Sequence, residues 1–448
     1  MSVQKVNVLH IASELGIGGT EKTLQIFCEY LNRDFFEPLI CGIHGGGLRA
    51  DSLKRKGFET YVFDGDYSRL EPLLREKKIE VIHIYLGWNS EDLKGVAEAA
   101  KRAGVPAIVE TNVFGYFNRE NTERLVDRHL LISKSVALEY AARGKITMRK
   151  FLNKCRVLYN PVDFAEFEKG APSQDETAQF RRKIGVEPDS PLICRVGRPD
   201  IRKWTALPVN MMWFLARKIP NVKYLIVGGM PSWVHRKIAK YHLENNFIDF
   251  GIASEKELLT IYYAVDLLAH SSRIGESFGC TIAEAMAAKK PVVVESTPWG
   301  DNAQIELVDN GVTGFVADTS RTYADAVAYL LRHPTEAKKM GEAGHEKAGR
   351  MFDAKRVVPL LEKQYVELLA AKGVHLDRRL RERYDGLAQF PSNRDIVNYP
   401  VEYLQRMSNV YGKAGLHERI WLKIKQYTQG RPSRAYIFKD AHLHFAGI

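Results

Sequence analysis

The 448-residue sequence has no apolar run approaching the roughly 20 residues that a bilayer-spanning helix needs, which excludes transmembrane helices within it. Its opening stretch, MSVQKVNVLHIAS, has only a short apolar part that runs directly into strand-like sequence, so it does not read as a signal peptide. Cysteine is scarce. The five residues, Cys28, Cys41, Cys155, Cys194 and Cys280, are scattered, and none belongs to a C-x-x-C pair. This argues against a disulfide framework and a cysteine zinc site. It points to a reduced, cytosolic setting in which each is a small buried hydrophobe. No His/Cys cluster has ligand spacing, and no D-x-D or D-D pair is read as a strand-end metal signature, so no metal is expected. Low-complexity tracts and short-period repeats are also missing.

What is present is an ordinary soluble composition, 45% hydrophobic and 27% charged. The length suggests two or more domains. The 65 Lys and Arg against 54 Asp and Glu leave a net charge of +11. Such an excess favours anionic partners, whether nucleic acid, anionic lipid or phosphorylated ligands, without choosing among them.

Short β-branched runs alternate with helix-like stretches. VNVLHIA, EPLICGI, ETYVFD, VIHIYL, PAIVETN and RHLLIS read as strands, with apolar residues at helical spacing between them. A polar stretch with Pro161, Pro172 and Ser173 as breakers reads as a linker over residues 160–190. The alternation then restarts with PLICRVG, VKYLIVGG, NFIDFG, DLLAHSS, KPVVVES and GFVAD. Strands alternating with helices imply parallel sheets covered on both faces. The expected fold class is α/β, with two Rossmann-like doubly wound domains facing each other across a cleft. The expected bounds are 1–165 and 166–352, then a helix over 353–372 crossing back to the first domain. Residues 373–448 form a charged, aromatic extension of unassigned role.

GIGGTEKT, Gly16 to Thr23, lies at the first strand-to-helix junction. It nearly matches the phosphate-binding G-x-x-x-x-G-K-[ST] loop, but Glu21 stands where the second Gly belongs. A carboxylate there would occupy the place where triphosphate oxygens nest, and a Cβ is added where the loop needs glycine. A P-loop NTPase is therefore disfavoured.

The most informative segment is residues 271–294, SSRIGESFGCTIAEAMAAKKPVVV. A turn containing Gly275 and Gly279 precedes a helix starting near Cys280. The outward amides of Phe278, Gly279, Cys280 and Thr281, with Ser277 beside them, make a natural diphosphate seat. Glu284, one turn in, can accept from two ribose hydroxyls, and Glu276 can reach a sugar ring. Paired glutamates at this spacing also occur on many helices by chance; here they are embedded in G-E-S-F-G-x-x-x-x-E-A-M-A between two strands.

This segment resembles the donor-binding E-x7-E motif of retaining glycosyltransferases of family four, which have the GT-B fold. CRVGRPDIRKW resembles the family's G-R-x(n)-K stretch, which implies Arg198 and Lys203 at the donor diphosphate. The stretch from STPWGDN to GFVAD is similar to its E-x-x-x-x-G-x-x-G-F segment, with Glu306, Gly311 and Gly314 matching. LYNPVD resembles its Y-N-G-V-D linker, with Pro161 in place of Gly. GIGGTEKTLQIF resembles the family's G-G-x-E junction, which implies Gly18 and Gly19 at the donor and Thr20 near the reacting sugar. The resemblance covers roughly residues 5 to 370. Two departures stand out. Asn112 occupies the position where the family often has His, preceded by Glu110 and Thr111. Trp204 follows Lys203 where the family usually has Gly, and either closes the donor pocket or packs under the loop.

The resemblance implies metal-independent transfer of a hexosyl unit, with retention, from a nucleoside-diphosphate sugar to an acceptor hydroxyl. No cofactor is implied; UDP and GDP are the expected carriers. Glu276, Arg198 and Lys203 are the implied catalytic set. Thr20, His83, Glu110 and Asn112 are candidates on the acceptor or sugar side, though a lone His on an apolar strand is more often a core residue. Trp88, Phe114 and Tyr116 suit sugar stacking or ordinary packing. The basic stretch 142–154 suits an anionic membrane surface as well as a solvated face. The aromatic tail with Trp421, Tyr427, Tyr436 and Phe438 suits a membrane or partner contact, or wrapping back onto the domains. The expected acceptor is a lipid-linked glycan, lipopolysaccharide or polysaccharide, the expected location cytoplasmic or peripheral on the inner face of a membrane, and nucleic acid is not an expected partner. A GT-B hydrolase or epimerase and a non-catalytic GT-B module are the competing readings.

Overall fold

The structure is a computed structural model, and it describes residues 5–86, 90–117, 122–198, 200–298 and 300–411. Trp88 and the aromatic tail with Trp421, Tyr427, Tyr436 and Phe438 lie outside the described residues. The described residues divide into two units. One comprises residues 5–161 and 351–400, the other 162–350 and 401–411.

The first unit is built on seven parallel strands: β1 (Val6–Glu14), β2 (Phe36–Gly45), β3 (Glu59–Val62), β4 (Val81–Ile84), β5 (Ala107–Asn112), β6 (Arg128–Leu131) and β7 (Cys155–Val157). Their order is β3-β2-β1-β4-β5-β6-β7, which reverses direction between β1 and β4. β4, β5 and β6 are buried along their whole length. That follows from helices covering both faces, and it explains why these strands read as continuous apolar runs rather than alternating ones. The helix Ala354–Ala371 packs into this unit's core, burying Val357, Leu361, Tyr365 and Leu369 beside Val81, Val109 and Leu130. Further along, Tyr399 hydrogen-bonds Ser135 at 2.6 Å and its ring lies under the Lys134 ammonium.

The second unit repeats the plan. β8 (Leu192–Val196), β9 (Lys223–Val227), β10 (Phe247–Gly251), β11 (Leu267–His270), β13 (Val292–Glu295) and β15 (Gly314–Ala317) form a parallel sheet in the order β10-β9-β8-β11-β13-β15. Its direction reverses between β8 and β11. A separate two-residue parallel pair joins β12 (Gly275–Glu276) to β14 (Asp301–Asn302).

The structure differs from the sequence reading at three points. The stretch 160–190 is not an irregular linker. It holds two short helices, Phe164–Lys169 and Gln174–Lys183, the second opened by a Ser173/Glu176 capping box. The first domain break falls after Pro161, ahead of the expected 165. Strand β7 was not anticipated: it is three residues long, and a basic helix, Met148–Lys154, leads straight into it.

His83 was a candidate ligand-facing residue, but it is fully buried. It lies directly opposite His10 in the β1–β4 register. Its Nδ1 meets Tyr365 Oη at 2.5 Å and its Nε2 meets Thr111 Oγ1 at 2.7 Å. Tyr85 Oη lies 3.0 Å from His10 Nδ1 and 3.1 Å from His83 Nδ1. Two imidazoles at the centre of a sheet must stay neutral, and burial pushes His10 down to about 3 and His83 well below its ordinary value. Unfolded, each takes a proton near pH 6.5. Between that pH and about 3 the unfolded state therefore binds more protons, and stability falls as pH drops. From pH 7 to pH 5 the His10 contribution to this loss is about 2 kcal/mol. His10→Asn, which does not titrate, should lose about that much less stability over the same interval, as read by denaturant unfolding at the two pH values; an unchanged pH slope would sink the assignment.

Candidate active site

In an open parallel sheet, ligands bind outside the carboxyl ends of the strands where the strand order reverses. In the second unit those ends belong to β8 and β11. β8 leads through Gly197 into the loop carrying Arg198 and Lys203, and β11 leads through His270 into the loop carrying Glu276. Gly228, at φ 98°, lets the first loop approach, since a Cβ there would overlap the Gly197 carbonyl. The Arg273 amide then donates to the Lys203 carbonyl at 3.1 Å, joining the two loops.

Lys203 Nζ lies 3.1 and 3.2 Å from the two carboxylate oxygens of Glu276. His270 Nε2 lies 3.1 Å from Glu276 Oε1. Burial opposes the charge on Glu276, but the Lys203 ammonium and the His270 hydrogen bond outweigh it and hold the carboxyl well below the usual range. Burial meanwhile lowers His270, so it faces Glu276 as a neutral donor. The result is an ionised carboxylate held at a nearly dry place, with one cation that remains 27% exposed.

The Glu276 loop is fastened from behind. Asp301 N donates to Ile274 O at 2.7 Å, Ala303 N to Glu276 O at 2.9 Å, and Ser277 Oγ to Asp301 Oδ2 at 2.6 Å. Gly275, at φ 74°, is obligatory because a Cβ would overlap the Asp301 carbonyl. Gln304 accepts the Glu276 amide at 3.1 Å and donates to Glu295 O at 2.8 Å and Thr297 Oγ1 at 2.6 Å. Asn302 accepts from Thr297 N at 2.9 Å and donates to Tyr403 Oη at 3.0 Å. Residues 401–411, the end of the helix Asn393–Tyr411, are thus tied to this loop, and Arg406 adds an ion pair to Asp309 at 2.7 Å, which also holds Lys347 at 2.9 Å.

Phe278 is buried, and Gly279 at φ 101° starts the helix Cys280–Ala287, whose N-terminus no side chain caps. Cys280 and Thr281 are half-buried in its first turn, at the positive end of the helix. Glu284 is half-buried and accepts from Tyr262 Oη at 2.7 Å, a phenol that fixes one carboxylate oxygen. Arg198 is exposed in the loop after β8. Glu306 is buried in the short helix Gln304–Leu307, whose first residue holds the Glu276 amide; Gly314 opens β15, where a Cβ would overlap the Val292 carbonyl, and the Gly311 amide donates to the Gly314 carbonyl at 2.8 Å.

The remaining sequence candidates belong to the first unit. Gly18, in extended conformation, precedes the helix Gly19–Tyr30, with Thr20 half-buried in its first turn. A Cβ at Gly18 would overlap the Glu21 carboxylate, which folds back over this helix start and takes the place a phosphate would need. Glu110 is buried and paired with His129 at 2.6 Å. Asn112, also buried, donates to Glu110 Oε1 at 3.3 Å and to Tyr116 O at 2.9 Å. These two side chains therefore serve a buried network. Tyr116 is 49% exposed, with the Arg143 guanidinium over its ring. The sequence does hold one D-x-D triplet, Asp64 to Asp66, just after β3. There Asp66 is engaged by the backbone and hydroxyl of Ser68 at a 3-10 turn. Among the described residues no group of three His, Cys, Asp or Glu is gathered as for a metal, and no helix is long and apolar enough to cross a membrane.

Two contributors were not singled out from sequence. His270 reads as an ordinary strand residue, and Gln304 as a helix residue; only the fold brings them to Glu276. Gln304→Ala would remove three hydrogen bonds from buried groups, at a cost of about 2–4 kcal/mol. Denaturant unfolding of the variant reads this directly, and a loss below about 1 kcal/mol would mean the loop is held by other contacts.

Residues 176–347 match the family model described as glycosyl transferases group 1. The trehalose synthase of Pyrococcus horikoshii is 26% identical over 231 residues, 49% of this chain and 54% of that protein, so the match spans about half of that relative. The alpha-monoglucosyldiacylglycerol synthase of Acholeplasma laidlawii is 21% identical over 68% of this chain and 78% of its own. In fold, HepE of Anabaena, solved with UDP and glucose, superposes with a TM-score of 0.68 at 19% identity, over 82% of this chain and 100% of that one. Both units are Rossmann-like and the chain has the GT-B fold; the switch-point loops of the second unit lie inside the residues that match the glycosyl transferases group 1 model.

Proposed function

We propose that this chain is a retaining, family-four glycosyltransferase that moves a hexosyl unit from a nucleoside-diphosphate sugar to an acceptor hydroxyl without a metal. The observation that carries the reading is the Lys203–Glu276 pair, set at the carboxyl ends of β8 and β11 beside an uncapped helix N-terminus. A diphosphate suits that helix end, with Lys203 and Arg198 as its counter-charges. Negative charge grows on the leaving diphosphate as the glycosidic bond breaks, so cations fixed there stabilise the transition state more than the ground state. Glu276, kept ionised, accepts from the sugar hydroxyls, and Glu284 from the ribose. The backbone amides of Ser277, Phe278, Gly279, Cys280 and Thr281 line the diphosphate.

UDP is the first carrier to test, since HepE binds UDP and glucose, with GDP second. The acceptor class we favour is a lipid-linked glycan, lipopolysaccharide or polysaccharide. The net charge of +11 and a relative named for glycolipid synthesis support a chain working at an anionic membrane surface from the cytoplasmic side.

A thermal-shift panel of UDP, GDP, ADP and CDP with their common sugar conjugates, with and without EDTA, tests the reading. A nucleotide at a hundredfold over its dissociation constant should stabilise the fold by about 2.7 kcal/mol, and EDTA should not remove the shift. Silence from every nucleotide in a folded sample would favour a non-catalytic module. Glu284→Ala should weaken binding of the responding nucleotide by about 1–3 kcal/mol in calorimetry, the scale for hydrogen bonds to a charged group. Wild-type affinity in that variant would remove Glu284 from the ribose.

A further inference from the structure

Arg195 lies inside β8 and is fully buried. Taking a guanidinium out of water is expensive unless its N–H groups are matched. Only Nε is: it donates to the Ser271 carbonyl at 3.2 Å, in the loop that runs to Glu276. Neither terminal nitrogen has a hydrogen-bond partner among the described residues. Instead the guanidinium lies over the Trp204 ring, 4.2 Å from its centroid, and directly beneath Gly197, where a Cβ would stand 3.4 Å from Nη1. Trp204 is 2% exposed and follows Lys203 in the chain. It therefore packs under the loop and does not roof a pocket.

One side chain thus touches both loops of the candidate site. Its planar face holds the residue next to Lys203, and its edge holds the segment leading to Glu276. Burial pulls the guanidinium below the ordinary arginine value, and Glu276 is among the groups that pull it back. Lysine could not reproduce this arrangement, because it has no plane to stack while an N–H points along the edge. An ordinary core position would be filled by an apolar residue of similar volume at lower desolvation cost.

We infer that Arg195 and Trp204 form a clamp that positions Lys203 against Glu276, making Arg195 a positioning residue for the sugar-diphosphate half of the donor. This rests on the reading that Lys203 and Glu276 hold the donor. The nucleoside half, assigned to Glu284, should not depend on the clamp.

The test compares UDP-glucose with uridine by calorimetry on the full chain, or a GDP-sugar with guanosine if the nucleotide panel selects guanine. Arg195→Met should weaken the nucleotide-sugar at least tenfold and leave the nucleoside within twofold. Trp204→Phe, with a smaller face, should shift the same ratio by at least threefold. If Arg195→Met does not fold, Arg195→Lys takes its place: it keeps the charge but not the stack, and should also shift the ratio by at least threefold. An unchanged ratio in a folded variant overturns the clamp, as does an equal loss of both ligands. Glu276→Gln separates the two levels. If it weakens the nucleotide-sugar while the clamp variants do not, only the clamp fails; if it too is without effect, the donor-site reading has failed first.

Discussion

Much of the second unit is arranged around keeping one carboxylate charged where little water reaches it. Glu276 is 12% exposed by its side chain, yet it is held ionised. A lone carboxylate in such a place would take up a proton. Two groups prevent this, Lys203 arriving from the end of β8 and His270 donating from β11, while Gln304 holds the loop in place by taking the Glu276 amide. Each comes from a different part of the chain, so the site exists only when the sheet is complete. A charge that needs such supports is also one whose position is narrowly defined.

The fastening of the Glu276 loop shows how this precision is reached without a regular strand. Two residues of β12 pair with two of β14, and glycine at 275 removes the side chain that would separate them. Buried carboxamides at 302 and 304 satisfy the backbone groups that such a short ladder leaves over. In the first unit the analogous switch point, between β1 and β4, is filled from within by two neutral histidines and three hydroxyl-bearing partners. The two sheets share a winding but differ in what they do with polar groups at its centre.

Most of the architecture was legible because its determinants are local. Twelve β-branched runs, separated by amphipathic stretches, correspond to the twelve main strands other than β7. Gly279 followed by an apolar helix start marks Cys280–Ala287 correctly, because a left-handed residue at a helix entry leaves few alternatives. Lys203 and Glu276 could be nominated one at a time, whereas their salt bridge spans 73 residues of sequence and depends on the strand order. For His83 the sequence left a ligand-facing and a core role open, the core role being the commoner for a lone His on an apolar strand; the helix Ala354–Ala371 brings Tyr365 against it, and no local pattern announces a partner 282 residues away. The stretch 160–190 misled because short capped helices and irregular loops share the same polar composition.

The tie between Asn302 and Tyr403, with the Asp309 pairing to Arg406, matters for anyone who would cut this protein into parts. The segment carrying the family match ends at residue 347, and the two partners that brace its Glu276 loop and the residues after it are donated from beyond residue 400. A fragment excised at the end of the matched segment would keep its motifs and lose the brace. Chimeras that exchange this half must carry the helical residues 401–411 along with it, because these bonds tie them to it despite the stretch of the other unit that lies between them in the chain.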